Sequence, residues 1–453
     1  MAQPEPTDDE HQPLTTVQKL LYASGHFGLS ALSFPLIAWL GPFYNPGEAR
    51  LDAGKTVYIA YAGLVGVMVA IGRVTDAIND PLVGFLSDRL RTRWGRRKPF
   101  MVLSILPFVG LFVAVWHPPF DTHSGGNFTY GLFVLLLLFV AFTAYAAPYL
   151  ALLPELAGTQ RERVSLATWQ GAFNVGGTIV ASGLGGKLID RFDYPATALT
   201  LAAAAFVSLC LPCLGPRERT RPKPSAYGFR QALLLTLRNR PLLLYLAGYL
   251  GFWTGLLVLA ANLEYIAQSL LGLDKQGAGS YFAGVPLAVG GLCLPIAPRV
   301  AARMGPKRMM AAATAAFAVV AMLLGTVGLV GDQSFRIWHL SVLCVLAGPA
   351  VAALFAIPYV ILAAITDADE RASGERREAM FFGVQGLVLK AGYGLAALIA
   401  YLLLQWFGQT TEQPHGLHLT GPAAAGVAVA GLLVFRRFPA DLTAGASAEE
   451  AAP

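Results

Sequence analysis

The sequence predicts an all-α membrane protein, with twelve transmembrane helices in two six-helix halves related by a pseudo-two-fold axis. Three observations predict it. Of 453 residues, 55% are hydrophobic and only 13% are charged, against about 25% charge in ordinary soluble domains. Mean hydropathy is +0.55. The apolar residues come in runs of roughly 20 or more, long enough to cross a bilayer. Charged residues crowd into the short segments between those runs, so lipid rather than a compact core must solvate the apolar surface.

Residues 1–17 are polar and acidic, without an apolar core or cleavage site, and read as a solvated cytoplasmic tail rather than a signal peptide. Spans are expected near 18–44, 55–86, 98–117, 128–155, 163–188 and 194–214. The second half is expected at 240–271, 278–299, 308–330, 335–365, 378–406 and 417–435. Thus 18–214 and 240–437 form the halves, 215–239 an Arg- and Pro-rich cytoplasmic loop, and 438–453 a disordered tail. Basic residues mark alternate loops: Arg89–Lys98, Arg217–Arg240, Arg299–Arg308, Arg371–Arg377 and Arg436–Arg437. The loops at 118–127 and 407–416 hold almost none. The positive-inside rule then puts both termini in the cytoplasm of a bacterial inner membrane, which an even number of spans requires. The net charge of +6 therefore sets orientation and does not imply a nucleic-acid partner.

The halves carry traces of a repeat. Ala147–Leu152 (APYLAL) echoes Ile357–Leu362 (IPYVIL), Gln170-Gly171 echoes Gln385-Gly386, and Arg93–Lys98 has a degraded counterpart in Arg303–Arg308. Two halves of this kind can rock about a central site. Cys210, Cys213, Cys293 and Cys344 all lie in apolar runs. Despite the CxxC spacing they read as small buried hydrophobes, because no partner histidine or second pair accompanies them.

The densest chemical signal is Gly72–Pro81 (GRVTDAINDP), followed by Leu86–Arg89 and Arg93–Pro99. Asp76 and Asp80 are four residues apart and share a helix face. Two bare carboxylates there would repel each other and be costly in a bilayer; a cation between them, or a proton on one, removes that cost. Asn79 adds a neutral oxygen within one turn. The alternative is a helix end whose aspartates pair only with Arg73 or the loop arginines, and spacing leaves both open.

These segments, with Pro148–Leu156 and Gln385–Lys390 in the same order, resemble the major facilitator superfamily. Within it the chain is similar to the melibiose-permease-like glycoside–pentoside–hexuronide:cation symporters, from about the first span to the eleventh. The resemblance implies a sodium site at Asp76, Asn79, Asp80 and Thr143, and a membrane-embedded coupling lysine at Lys390. It also implies a cytoplasmic gate of Asp88, Arg91, Arg93, Arg96 and Arg97, although a solvated headgroup-facing cluster explains the arginines equally. The family's sugar-binding aspartates and arginine fall on Ser30, Ala146 and Gly171, so its main polar grip on a galactoside is missing.

The expected cavity is therefore mixed and mostly uncharged: His26, Ser30, Tyr145, Tyr149, Trp169, Gln170, Asn174, Trp253, Asn262, Tyr359 and Gln385. Aromatics with a few hydrogen-bonding groups suit a stacked sugar ring and an amphipathic solute alike. For each, helix packing is the competing role. His26 stands where it could relay a proton or simply pack, and Glu264 is expected near the outer end of its span, where solvation is cheap. The function these features imply is a sodium- or proton-coupled symporter of a sugar or glycoside, with no cofactor beyond the coupling ion. A lysolipid-type solute and a non-transporting sensor or scaffold are the alternatives. The sequence carries no HExxH, nucleophile elbow or P-loop, so an enzyme is not expected. The expected partners are the small-molecule substrate and the lipid bilayer, and the expected state is a monomer.

Overall fold

Runs of apolar residues long enough to cross a bilayer must satisfy their backbone groups internally, and here they do so as helices. The computed structural model describes residues 14–46, 56–89, 92, 94–95, 97–157, 160–215, 236–273, 278–373, 378–439 and 442. The first half contains α1 (Thr16–Ala23), α2 (Gly25–Ala38), α3 (Leu40–Tyr44), α4 (Ala62–Arg89), α5 (Lys98–Val115), α6 (Gly125–Leu156), α7 (Gln160–Ile179) and α8 (Gly185–Leu214). The second contains α9 (Arg240–Tyr265), α10 (Ala278–Cys293), α11 (Ala297–Met304), α12 (Pro306–Leu324), α13 (Gln333–Ser373), α14 (Glu378–Phe407) and α15 (His415–Phe435). Ten described segments are long and apolar enough to span a membrane. One of these, Ser165–Leu214, covers two expected spans, and Ala278–Cys293 is a shorter apolar helix. With those two adjustments the helices match the twelve expected runs.

Local chemistry explains some of the boundaries. Thr15 and Gln18 form a capping box that starts α1. The Asn239 side chain accepts from Leu242 N to start α9. The first expected span is broken at Ser24 and Trp39 into α1, α2 and α3. A π turn at Val180–Leu184 lies within the fifth expected span, and a kink at Asp193, whose φ is 69°, separates the fifth from the sixth. The expected span at 278–299 ends early at Cys293, and a short separate helix, α11, follows. The four cysteines are free thiols, as expected of space-filling residues.

The halves meet chiefly along α4 and α14, which run past each other in opposite senses. Small residues permit the approach. A Cβ on Gly66 would lie 2.9 Å from the Ala397 carbonyl oxygen, and one on Gly394 3.4 Å from Ala70 Cα. Gly63 N donates to Gln405 Oε1 at 2.9 Å. The seam thus runs from Gly63–Gln405 at one end, past Ala70–Gly394, to Asp76–Lys390. The tail residues 1–13 and 443–453 and loop residues 216–235 lie outside the described residues.

Candidate cation site and central cavity

Helical spacing puts Arg73, Asp76 and Asp80 on the side of α4 that faces α14. Glycine at 394 lets α14 come close enough for Lys390 to reach them. Lys390 Nζ lies 2.7 Å from Asp76 Oδ1 and 2.6 Å from Asp80 Oδ1. Thr143, on α6, donates its hydroxyl to Asp76 Oδ1 at 2.6 Å. Asp76 is wholly buried, whereas the Asp80 side chain is 38% exposed. Burying a carboxylate this deeply requires opposite charge and hydrogen bonds, and the lysine and threonine supply both. The ammonium bridges the two carboxylates.

Arg73 completes the group. Its Nη1 is 3.5 Å from Asp76 Oδ2. Its guanidinium carbon lies 4.4 Å from the ring centres of both Phe139 and Tyr393, a double cation–π contact. Asn79 sits on the same turn, but its Nδ2 is buried without a hydrogen-bond partner. The structure therefore brings Asp76, Asp80, Thr143 and Lys390 into direct contact, while the Asn79 amide makes no hydrogen bond to them.

The expected cavity residues separate by how their polar atoms are used. On the first half, the His26 ring packs edge-on against Tyr149 at 5.3 Å, and its Nδ1 is 3.5 Å from Asn174 Nδ2. Gln170 Nε2 donates to Tyr149 Oη at 3.2 Å, and Trp169 is exposed. On the second half, Trp253 packs against Tyr249, Phe355 and Tyr393. Exposed Tyr359 stacks on Phe382, and Gln385 Oε1 accepts from Tyr245 Oη at 2.9 Å.

Three expected residues turn out to be packing elements. Tyr145 is fully buried and donates to the Leu209 carbonyl at 2.8 Å, tying α6 to α8. Asn262 is fully buried and its amide donates to Thr420 Oγ1 at 3.0 Å and Ala400 O at 3.3 Å, while its Oδ1 has no hydrogen-bond partner. The Ser30 hydroxyl donates back to His26 O at 2.8 Å within its own helix. A side chain whose hydrogen bonds close on neighbouring helices has little left for a solute. Glu264 is also corrected. It is 2% exposed rather than solvated, and accepts from Gln268 Nε2 at 2.9 Å and Gly279 N at 2.8 Å.

Of the expected gate, Arg91, Arg93 and Arg96 lie outside the described residues, and Asp88 is placed only as part of α4. Arg97 is buried and pairs with Glu155 at 2.7 Å, within one half rather than across to the other. Among the described residues, apart from Lys390 with Asp76 and Asp80, the hydrogen bonds that cross between halves gather at the opposite end. There Trp39 Nε1 donates to Ser280 Oγ at 2.6 Å and Gly41 N to Tyr401 Oη at 3.1 Å. Tyr265 Oη donates to Asn45 O at 2.6 Å and Gln409 Nε2 to Asn45 Oδ1 at 2.7 Å.

A family model described as MFS/sugar transport protein matches residues 21–429. The chain belongs to this family. Among curated relatives, an uncharacterized symporter of Synechocystis sp. is 26% identical, over 87% of this chain and 86% of its own. The isoprimeverose transporter of Lactiplantibacillus pentosus is 23% identical over 85% of this chain and 79% of its own. The human sodium-dependent lysophosphatidylcholine symporter 1 is 25% identical over 95% and 87%. Among solved structures, a peptide transporter POT shares the fold with a TM-score of 0.68 at 11% identity, covering 96% of this chain and 98% of that one. The nucleoside transporter NupG gives 0.65 at 14% identity, covering 93% and 99%. This MFS transporter is a multi-pass membrane protein and not an enzyme.

Two features of the transporter escaped the sequence. The seal of Trp39, Asn45, Tyr265, Ser280, Tyr401 and Gln409 joins residues more than 200 positions apart, and its one local signal is polar Asn45 and Gln409 at the ends of apolar runs. Arg73 was visible as a partner for Asp76, but its clamp between rings from two other helices was not.

Proposed function

We propose that the protein is a secondary symporter in which sodium or a proton competes with Lys390 for the Asp76/Asp80 carboxylates. The solute is a small molecule of the sugar or glycoside class. The observation that carries this reading is the single ammonium held at 2.7 and 2.6 Å by two carboxylates from one helix turn. A cation arriving at Asp76 and Asp80 displaces the lysine and breaks the deepest ionic tie between the halves. Ion binding is thereby linked to their relative motion. The resemblance of the chain to the isoprimeverose transporter supports the sugar class. The uncharged Ser30, Ala146 and Gly171 and the likeness to a lysophosphatidylcholine symporter favour an amphipathic solute as the second reading. The basic loops support an inner-membrane location with cytoplasmic termini. In that orientation the sealed end is periplasmic.

The test is uptake into proteoliposomes under an imposed sodium or proton gradient, across sugars and lysolipids. Asp76→Asn and Asp80→Asn should each abolish gradient-driven accumulation, by more than about tenfold, in protein that still folds. Accumulation at the wild-type level in both variants would sink the assignment.

A further inference from the structure

Counting charge at the centre of the molecule gives a result that the choice of ion does not. Arg73 and Lys390 face Asp76 and Asp80, so the group is neutral as it stands. No third carboxylate joins it among the described contacts. Glu264, the next carboxylate along α9, is engaged by Gln268 and the Gly279 backbone at the outer seal. Ser30, Ala146 and Gly171 add no charge on the first half. A bound monovalent cation therefore leaves one positive charge in excess, inside a low-dielectric region where unbalanced charge is expensive.

The groups around Arg73 fit a counter-charge. Arg73, Tyr393, Leu36, Leu257 and Ala261 line a small space between the halves, below the outer seal. Arg73 is 7% exposed, and its Nε has no hydrogen-bond partner. Trp253 stands one turn before Leu257 on α9, its ring 6.4 Å from that of Tyr393. Its Nε1 and the Thr254 hydroxyl are likewise buried without partners. Two of these three atoms can only donate. A buried guanidinium that lines this space with an unused donor asks for an acceptor-rich occupant.

We propose that the co-transported solute carries a single negative charge, a carboxylate or phosphate, which Arg73 receives with help from Trp253 so that the cation-loaded centre is neutral. This rests on the symport reading above and narrows its substrate class. Arg73 is then a specificity-determining residue: the cation makes room for the anion electrostatically, and the anion holds the cation. By linkage, each must tighten the other by the same factor.

The experiment is a sodium titration of the thermal stability of the purified full-length chain, with choline as the ionic control. It is run with two matched, singly charged and neutral probe pairs: methyl glucuronide against methyl glucoside, and lysophosphatidylglycerol against monoacylglycerol. One acidic probe should lower the half-saturating sodium concentration by about tenfold, while its neutral twin does not. The pair that responds tells a sugar acid from an acidic lipid. Arg73→Gln should remove the coupling, and Arg73→Lys, which keeps the charge, should restore part of it. The inference is overturned if neither acidic probe shifts the titration, if a neutral twin shifts it equally, or if Arg73→Gln retains the shift. A sodium response without anion coupling refutes this inference alone, whereas a wild-type protein with no sodium response refutes the sodium form of the symport reading with it.

Discussion

Lys390, Asp76 and Asp80 are each costly in a membrane and tolerable together. The lysine side chain is 14% exposed and Asp76 not at all, so neither can rely on water for its charge. Removing one partner of a buried pair leaves the other uncompensated, at about 3–5 kcal/mol. Lys390→Gln should therefore destabilise the sodium-free protein by about that much and make its unfolding temperature depend strongly on added sodium. Thermal unfolding in detergent, with sodium against choline, checks this; equal losses in both salts would contradict competition between lysine and cation. Much of this site was legible early. The four-residue spacing of the aspartates required a counter-ion, and a lone lysine in an apolar run required a carboxylate. The family resemblance set each against the other, and the fold shows the contact itself, across 310 positions of sequence.

At the scale of helices, the α4–α14 seam sets how closely those charges approach. Gly66 admits the Ala397 carbonyl, and the same position leaves only 3.3 Å between a Cβ and Tyr401 Cβ. A larger side chain must push backbone aside. Gly66→Leu should cost about 1–3 kcal/mol by overpacking and lower the unfolding temperature. Gly110→Leu, on a glycine with nothing within 4 Å, should leave it unchanged. Equal behaviour of the two variants would show that the seam is loosely packed. The sequence predicted these spans from apolar length, and the Asp193 break falls in the expected gap at 189–193, but it missed the three-part first span. Hydropathy reports where a chain is apolar; it is nearly silent on where an apolar helix bends.

Across the whole molecule, the inter-half bonds at the sealed end hold the transporter in one of its alternating states. Asn45 accepts through its backbone carbonyl from Tyr265 and through its side chain from Gln409. Its own amide also donates to Ile59 O at 2.8 Å. Asn45→Ala removes the side-chain bond across the halves and the Ile59 brace, each worth about 1 kcal/mol, enough to shift a two-state balance several-fold. Ile37 lines the space beneath this seal. In a background with the four native cysteines replaced, Ile37→Cys should be protected from an impermeant maleimide added outside. Adding Asn45→Ala should raise its labelling rate several-fold, whereas an unchanged rate would mean that Asn45 does not hold the seal.

By itself the sequence determined the membrane, the helices and the aspartate pair that shares a helix face. Each follows from chemistry local to a few turns: apolar length, basic loops and like charges sharing a helix face. The tertiary structure decided which polar residues were already spent. Tyr145, expected to greet a solute, closes its hydrogen bond on Leu209. Arg73 keeps a donor in reserve beside the central space. Composition tells how many hydrogen bonds a side chain can make, but only packing determines whether a neighbouring helix or the cargo receives them.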